Sequence, residues 1–84
     1  MSEQVYKAVF RPPVTRNELL PDVARLANQS RATLMIRRAC NWILDHNEEA
    51  QFVQSYNNAD ANTCEAVIVL RDRDTALMLK LALD

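Results

Sequence analysis

The sequence predicts a small α+β fold in which an antiparallel or mixed sheet carries its helices on one face. Three observations lead there. Residues 5–11 and 50–56 alternate with period two and carry β-branched and aromatic side chains, and residues 64–71 form a short, β-branched run that is apolar on both sides. Residues 22–46 and 76–83 instead repeat their apolar positions at helical spacing. The chain has 84 residues, 49% of them apolar, which suffices for one core and leaves no room for a second, so residues 1–84 are expected to form a single domain.

The first strand is VYKAVFR, with Tyr6, Ala8 and Phe10 on one side and Val5, Lys7, Val9 and Arg11 on the other. Pro12 and Pro13 end it, since neither can donate to a ladder. Thr15 and Glu18 have capping-box spacing, whereas Pro21 suits a helical first turn, so the helix start is open between them. Val23, Leu26 and Ala27 share a face, and Leu34, Met35, Ala39, Trp42 and Ile43 continue one. Between them Asn28-Gln29-Ser30-Arg31 is either a break, with Ser30 capping a second helix, or part of one helix of about 25 residues ending near His46. Asn47 is the expected residue just past the helix end, and His46 lies one turn from Trp42, where the two rings can pack.

In AQFVQSY, Phe52 and Tyr56 alternate with Gln51, Val53 and Ser55 as a half-buried strand, and NNADANT (57–63) reads as a polar turn. CEAVIVLR is apolar on both sides, which belongs in the middle of a sheet. Asp72 is placed to cap a last helix and Asp74 to add negative charge in its first turn, although the alternation of Leu79, Leu81 and Leu83 leaves a short terminal strand open. The order β-α-β-β-α, with or without that last strand, is the order of ferredoxin-like folds.

The chain contains no glycine. Gly-rich phosphate loops, dinucleotide fingerprints and nucleophile elbows all need a residue that tolerates positive φ and close ligand approach, so those chemistries are excluded. Left-handed backbone falls instead on asparagine and aspartate, with Asn28, Asn47, Asn57, Asn58, Asp60 and Asn62 as candidates. Ten basic and eleven acidic residues are interspersed for a net charge of −1, so no strong field exists to hold a nucleic-acid backbone. No apolar run is long enough to span a membrane, and no signal-peptide pattern opens the chain, which points to the cytoplasm.

Cys40 and Cys64 read as buried thiols rather than a disulfide. They lack the paired spacing of a zinc site, and Cys40 and His46, six residues apart on a helix, point to different faces. Asp72 and Asp74 are explained as helix-start residues. The expectation is a non-catalytic protein with no metal and no small-molecule cofactor.

The functional expectation rests on the side of the sheet away from the helices. If Tyr6, Phe10, Phe52, Tyr56, Ile68 and Leu70 face the helices, the reverse gathers Val5, Val9, Val53, Val67 and Val69 beside Lys7, Glu65 and Arg71. Five exposed valines rimmed by charge form an apolar patch suited to a protein partner or to a homodimer. Val67→Glu or Val69→Glu would then abolish association without unfolding the monomer.

Two resemblances extend this reading. The segment from Val67 to Leu81, a strand leading through Arg71-Asp72-Arg73-Asp74 into a helix with Lys80-Leu81, resembles the tails of small tailed-phage proteins; it implies a phage or mobile-element accessory protein that modulates a host factor. The first half resembles the ribbon-helix-helix DNA-binding family. That resemblance implies DNA as the alternative partner, with Val5, Lys7, Val9 and Arg11 in the major groove and Ser30 and Arg31 at a phosphate. Two of those strand positions are valines, which cannot read base edges by hydrogen bonding.

Overall fold

A computed structural model describes residues 4–84 and shows an α+β fold: β1 (Tyr6–Phe10), α1 (Pro21–Asp45), a 3-10 turn (Glu49–Gln51), β2 (Phe52–Ala59), β3 (Cys64–Leu70) and α2 (Arg73–Leu83). The sheet is antiparallel in the order β1-β3-β2, with the doubly apolar strand in the centre as its composition requires. Both helices cover the same face. Ala8 and Phe10 of β1, Cys64, Ala66, Ile68 and Leu70 of β3, Ala32, Met35, Ala39 and Ile43 of α1, and Ala76 and Leu79 of α2 form one core cluster.

Residues 21–45 form one uninterrupted helix, so the Asn28–Arg31 segment is not a turn. Its buried positions, Ala24, Asn28, Ala32, Met35, Ala39 and Ile43, recur every three or four residues and make a single stripe. Three of the six are alanines, which let the helix axis lie close to the sheet. The helix begins at Pro21, and the Thr15–Glu18 capping box does not form. Instead the Asn17 carboxamide oxygen accepts from the backbone N–H groups of Leu19 and Leu20, both at 3.0 Å, and shapes the approach to Pro21. Asn47, with φ of 57°, is the only described residue in the left-handed region; Asn28 is helical, Asn57 and Asn58 are in β2, and Asp60 and Asn62 lie in the β2–β3 turn without positive φ. His46 stacks on Trp42 with ring centroids 4.1 Å apart.

β2 starts later and runs further than its composition suggested: Asn57 and Asn58, read as turn residues, are paired with Ala66 and Glu65. An edge strand open to water on one side tolerates such polar residues. Between Phe52 and Gln54 the register shifts by one residue, a bulge that reverses the alternation beyond it. Phe52 lies opposite Leu70 on the helix-facing side, whereas Tyr56 lies opposite Val67 and is therefore on the reverse. Tyr56 does not join the core face.

The C-terminal segment is helical through Leu83, and no last strand forms among the described residues. Asp72 caps α2 by accepting from the Thr75 N–H at 3.1 Å and the Thr75 hydroxyl at 2.7 Å. These bonds hold its carboxyl below the usual carboxylate range, the hydroxyl contributing most. Lys80, on the same helix, donates its ammonium to the Val9 carbonyl of edge strand β1, pairs with Asp84 at 2.9 Å and sits 4.6 Å from the Phe10 ring centroid.

Candidate functional site

Among the described residues, no helix covers the reverse face of the sheet. Its residues follow from the register: Lys7, Val69 and Gln54 lie side by side across the three strands, as do Val9, Val67 and Tyr56, and Glu65 lies beside Asn58. The structure thus brings Lys7, Val9, Glu65, Val67 and Val69 together as the sequence implied. It does not make them an apolar patch. Val67 and Val69 are only 3% and 2% exposed, because each sits in the central strand with a side chain on either hand, Val9 and Tyr56 beside Val67 and Lys7 and Gln54 beside Val69, at the close lateral spacing of cross-strand pairs. The bulge in β2 contributes to this, since it turns Gln54 and Tyr56 onto the face. Val9 is half-buried, and among the expected valines only Val5 and Val53 are exposed.

The two charged residues at the ends of β3 are engaged within the chain. Glu65 accepts from Arg11 Nε at 3.0 Å across the exposed rim. Arg71 donates to the carbonyls of Ala50 and Phe52, at 3.1 and 3.0 Å, and its backbone N–H bonds to the Gln51 carbonyl at 2.7 Å. Arg71 therefore holds the 3-10 turn against the end of β3 rather than standing free for a partner. The reverse face is polar, with Lys7, Gln54, Tyr56 and Asn58 around a sunken valine floor.

The segment between β1 and α1 does not cross that face. It runs beside α1, where the Pro13 carbonyl accepts from Arg31 at 2.8 Å and Thr15 is bound at both backbone groups by Asn28. Asn28, fully buried, uses its whole carboxamide: the oxygen accepts from Thr15 N–H at 2.7 Å, and the nitrogen donates to the carbonyls of Thr15 at 3.0 Å and Asp60 at 2.8 Å. Cys64 Sγ donates to the Asn28 backbone carbonyl at 3.2 Å. Asp60 in turn organises the β2–β3 turn by accepting from the N–H groups of Asn62 and Thr63 at 2.7 and 2.8 Å, which lowers its carboxyl below the ordinary range, the Asn62 bond most of all. One asparagine thus ties the connecting segment, the long helix and the hairpin end together.

The large exposed apolar surface lies on the helices. On the side of α1 opposite its buried stripe, Val23, Leu26, Leu34 and Leu44 are each more than half exposed, and Leu19, just before the helix, is 90% exposed. Leu26 and Leu34 flank a shallow depression floored by Gln29, Ser30 and Thr33. On α2, Leu77, Met78 and Leu81 are also more than half exposed. The spacing Val23, Leu26, Ser30, Thr33, Arg37, Leu44 marks the side of α1 turned away from the core, where the apolar residues are interrupted by Ser30, Thr33 and Arg37.

Burial raises the pKa of both thiols, with the Arg31 charge opposing the effect at Cys64. That disfavours the nucleophilic thiolate. Among the described residues no group of three or more His, Cys, Asp or Glu side chains is placed to hold a metal ion, and no helix is long and apolar enough to cross a membrane. Two surfaces stay open to water: the polar reverse of the sheet and the outer side of α1, where exposed leucines alternate with polar residues. This is a two-layer α+β protein with its helices on one side of a three-stranded sheet. No family model, curated protein or solved structure matches the chain.

Proposed function

We propose that this chain is a non-catalytic binding protein that acts by associating with another polypeptide, and that the engaging surface is the outer side of α1 rather than the reverse of the sheet. One observation carries the reading. Val23, Leu26 and Leu34 are each more than half exposed on a helix whose opposite side is already committed to the core, and large apolar side chains left in water on one side of an element and rimmed by charge are where proteins meet. The resemblance of residues 67–81 to tailed-phage proteins adds a host factor in the cytoplasm as a partner class. DNA binding is less well supported, because Ser30 and Arg31 lie inside a continuous helix with no free N-terminus to present to a phosphate, and β1 is paired within its own chain.

The test compares wild type with the double variant Leu26→Glu/Leu34→Glu and with Val53→Glu on the sheet. Each is assayed by sedimentation alone, by affinity capture from lysate and by binding to random duplex DNA at low salt. Association is expected to survive Val53→Glu and to disappear in the α1 variant while its far-UV circular dichroism stays unchanged. Loss only on Val53→Glu would return the interface to the sheet, and DNA retention that falls steeply with salt would replace a protein partner with nucleic acid.

A further inference from the structure

We infer that the occupant of the α1 outer face is a second copy of this chain, packed antiparallel about a two-fold axis at Ser30; the inference rests on the protein-binding reading above and names its partner. Leu26 and Leu34 lie four residues before and four after Ser30, on the same exposed ridge. A two-fold axis at Ser30 therefore sets each Leu26 against Leu34 of the other copy, twice, with the small Ser30 side chains at the crossing point. That is the self-complementary pattern an isologous interface requires. Residues spaced by four form the ridge that packs in the commonest class of helix crossing, near −50°.

Charge selects the antiparallel direction. Asp22, eight residues before Ser30, is 89% exposed at its side chain and holds only a 3.6 Å contact with Arg25. Arg38, eight residues after Ser30 on the same ridge, is exposed and makes no ion pair among the described residues. In the antiparallel register Asp22 of each copy meets Arg38 of the other, and Arg37, opposite Val23, can lay its aliphatic stem over that valine. A parallel pairing would instead oppose Asp22 to Asp22 and Arg38 to Arg38, which costs stability.

Size sets the strength. Two helices that cross near −50° touch only around the crossing, here between Asp22 and Arg38 and not along all of α1. The contact is smaller than a standard interface, so the dimer is expected to be reversible, with a dissociation constant in about the micromolar range.

The decisive experiment places a cysteine on the axis. With helix axes about 8–10 Å apart and Cα atoms about 2.3 Å from each axis, the two Ser30 Cα atoms come within about 3.5–5.5 Å, which overlaps disulfide geometry. Ser30→Cys in a Cys40→Ala background is expected to form a covalent dimer on mild oxidation. Leu26→Glu/Leu34→Glu should weaken dimerisation by at least about 100-fold. Asp22→Arg and Arg38→Asp should each weaken it, and the two together should restore it. The proposal is overturned if the chain sediments as a monomer at about 1 mM, a concentration at which a micromolar dimer would be nearly fully assembled. It also fails if a dimer forms whose Ser30→Cys variant does not cross-link. A monomer that still captures a partner through Leu26 and Leu34 would defeat self-pairing and leave the protein-binding reading standing; a monomer whose captures ignore both leucines would defeat the two together.

Discussion

Replacing Asn28 by alanine is the sharpest test of how this fold is held together. The side chain is fully buried and makes three hydrogen bonds, two to Thr15 and one to Asp60. At a net of about 1 kcal/mol per bond, Asn28→Ala should cost about 3 kcal/mol, more if the Thr15 and Asp60 groups cannot reach water. A chain of this length has a total stability of only about 4–13 kcal/mol, so the loss is large, and it corresponds to a fall in thermal midpoint of about 12–24 °C. Urea denaturation gives the free energy. Amide exchange gives the location: Thr15 N–H should lose protection before the sheet does. A cost below about 1 kcal/mol, or unchanged protection at Thr15, would refute the role assigned to Asn28. Asn28→Asp refines the test, since a carboxylate there would face the carbonyls of Thr15 and Asp60. Burial and those oxygens raise the pKa of the introduced group in the folded state, so the native form binds a proton that the unfolded chain does not. The deficit is then present at neutral pH and shrinks as pH falls through the raised value.

Val67→Glu and Val69→Glu should each unfold the protein or cost several kcal/mol, because a carboxylate would replace an aliphatic group in a site almost closed to water, whereas Val53→Glu should stay within about 0.5 kcal/mol; equilibrium denaturation of the three variants distinguishes the buried floor from the exposed rim. Asp72→Ala should lower the thermal midpoint by removing the cap on α2, and Asp72→Asn should keep most of the cap but flatten the acid limb of stability. In the wild type the capped carboxylate resists protonation to a lower pH than in the unfolded chain, so its contribution is full above about pH 4–5 and is lost as pH falls through the native value; stability measured from pH 6 to 2 checks the difference between the two variants.

Much of the architecture was legible from local patterns. The central place of β3 followed from apolar residues on both its sides, the end of α1 from Asn47, and the start of α2 from Asp72, because each of these is decided within a few residues by sterics, capping or burial. The continuous run through Asn28–Arg31 was not legible. A polar stretch in a helical pattern reads equally as a break, and Asn28 is accommodated on the buried side of the helix because Thr15 and Asp60, distant in sequence, meet its carboxamide. The end of β2 was misplaced for a similar reason, since asparagines favour turns locally yet pair acceptably on an open edge.

The candidate interface shows the same division. Composition alone placed branched aliphatic residues on the strands, a property that belongs to individual side chains and their spacing. Which of those residues meet water depended on packing between strands. The one-residue bulge between Phe52 and Gln54 reversed Tyr56, the flanking strands closed over Val67 and Val69, and the sheet consumed one stripe of α1 while leaving Leu26 and Leu34 uncovered. Exposure is a property of the neighbours a residue acquires, and those neighbours lie tens of positions away along the chain.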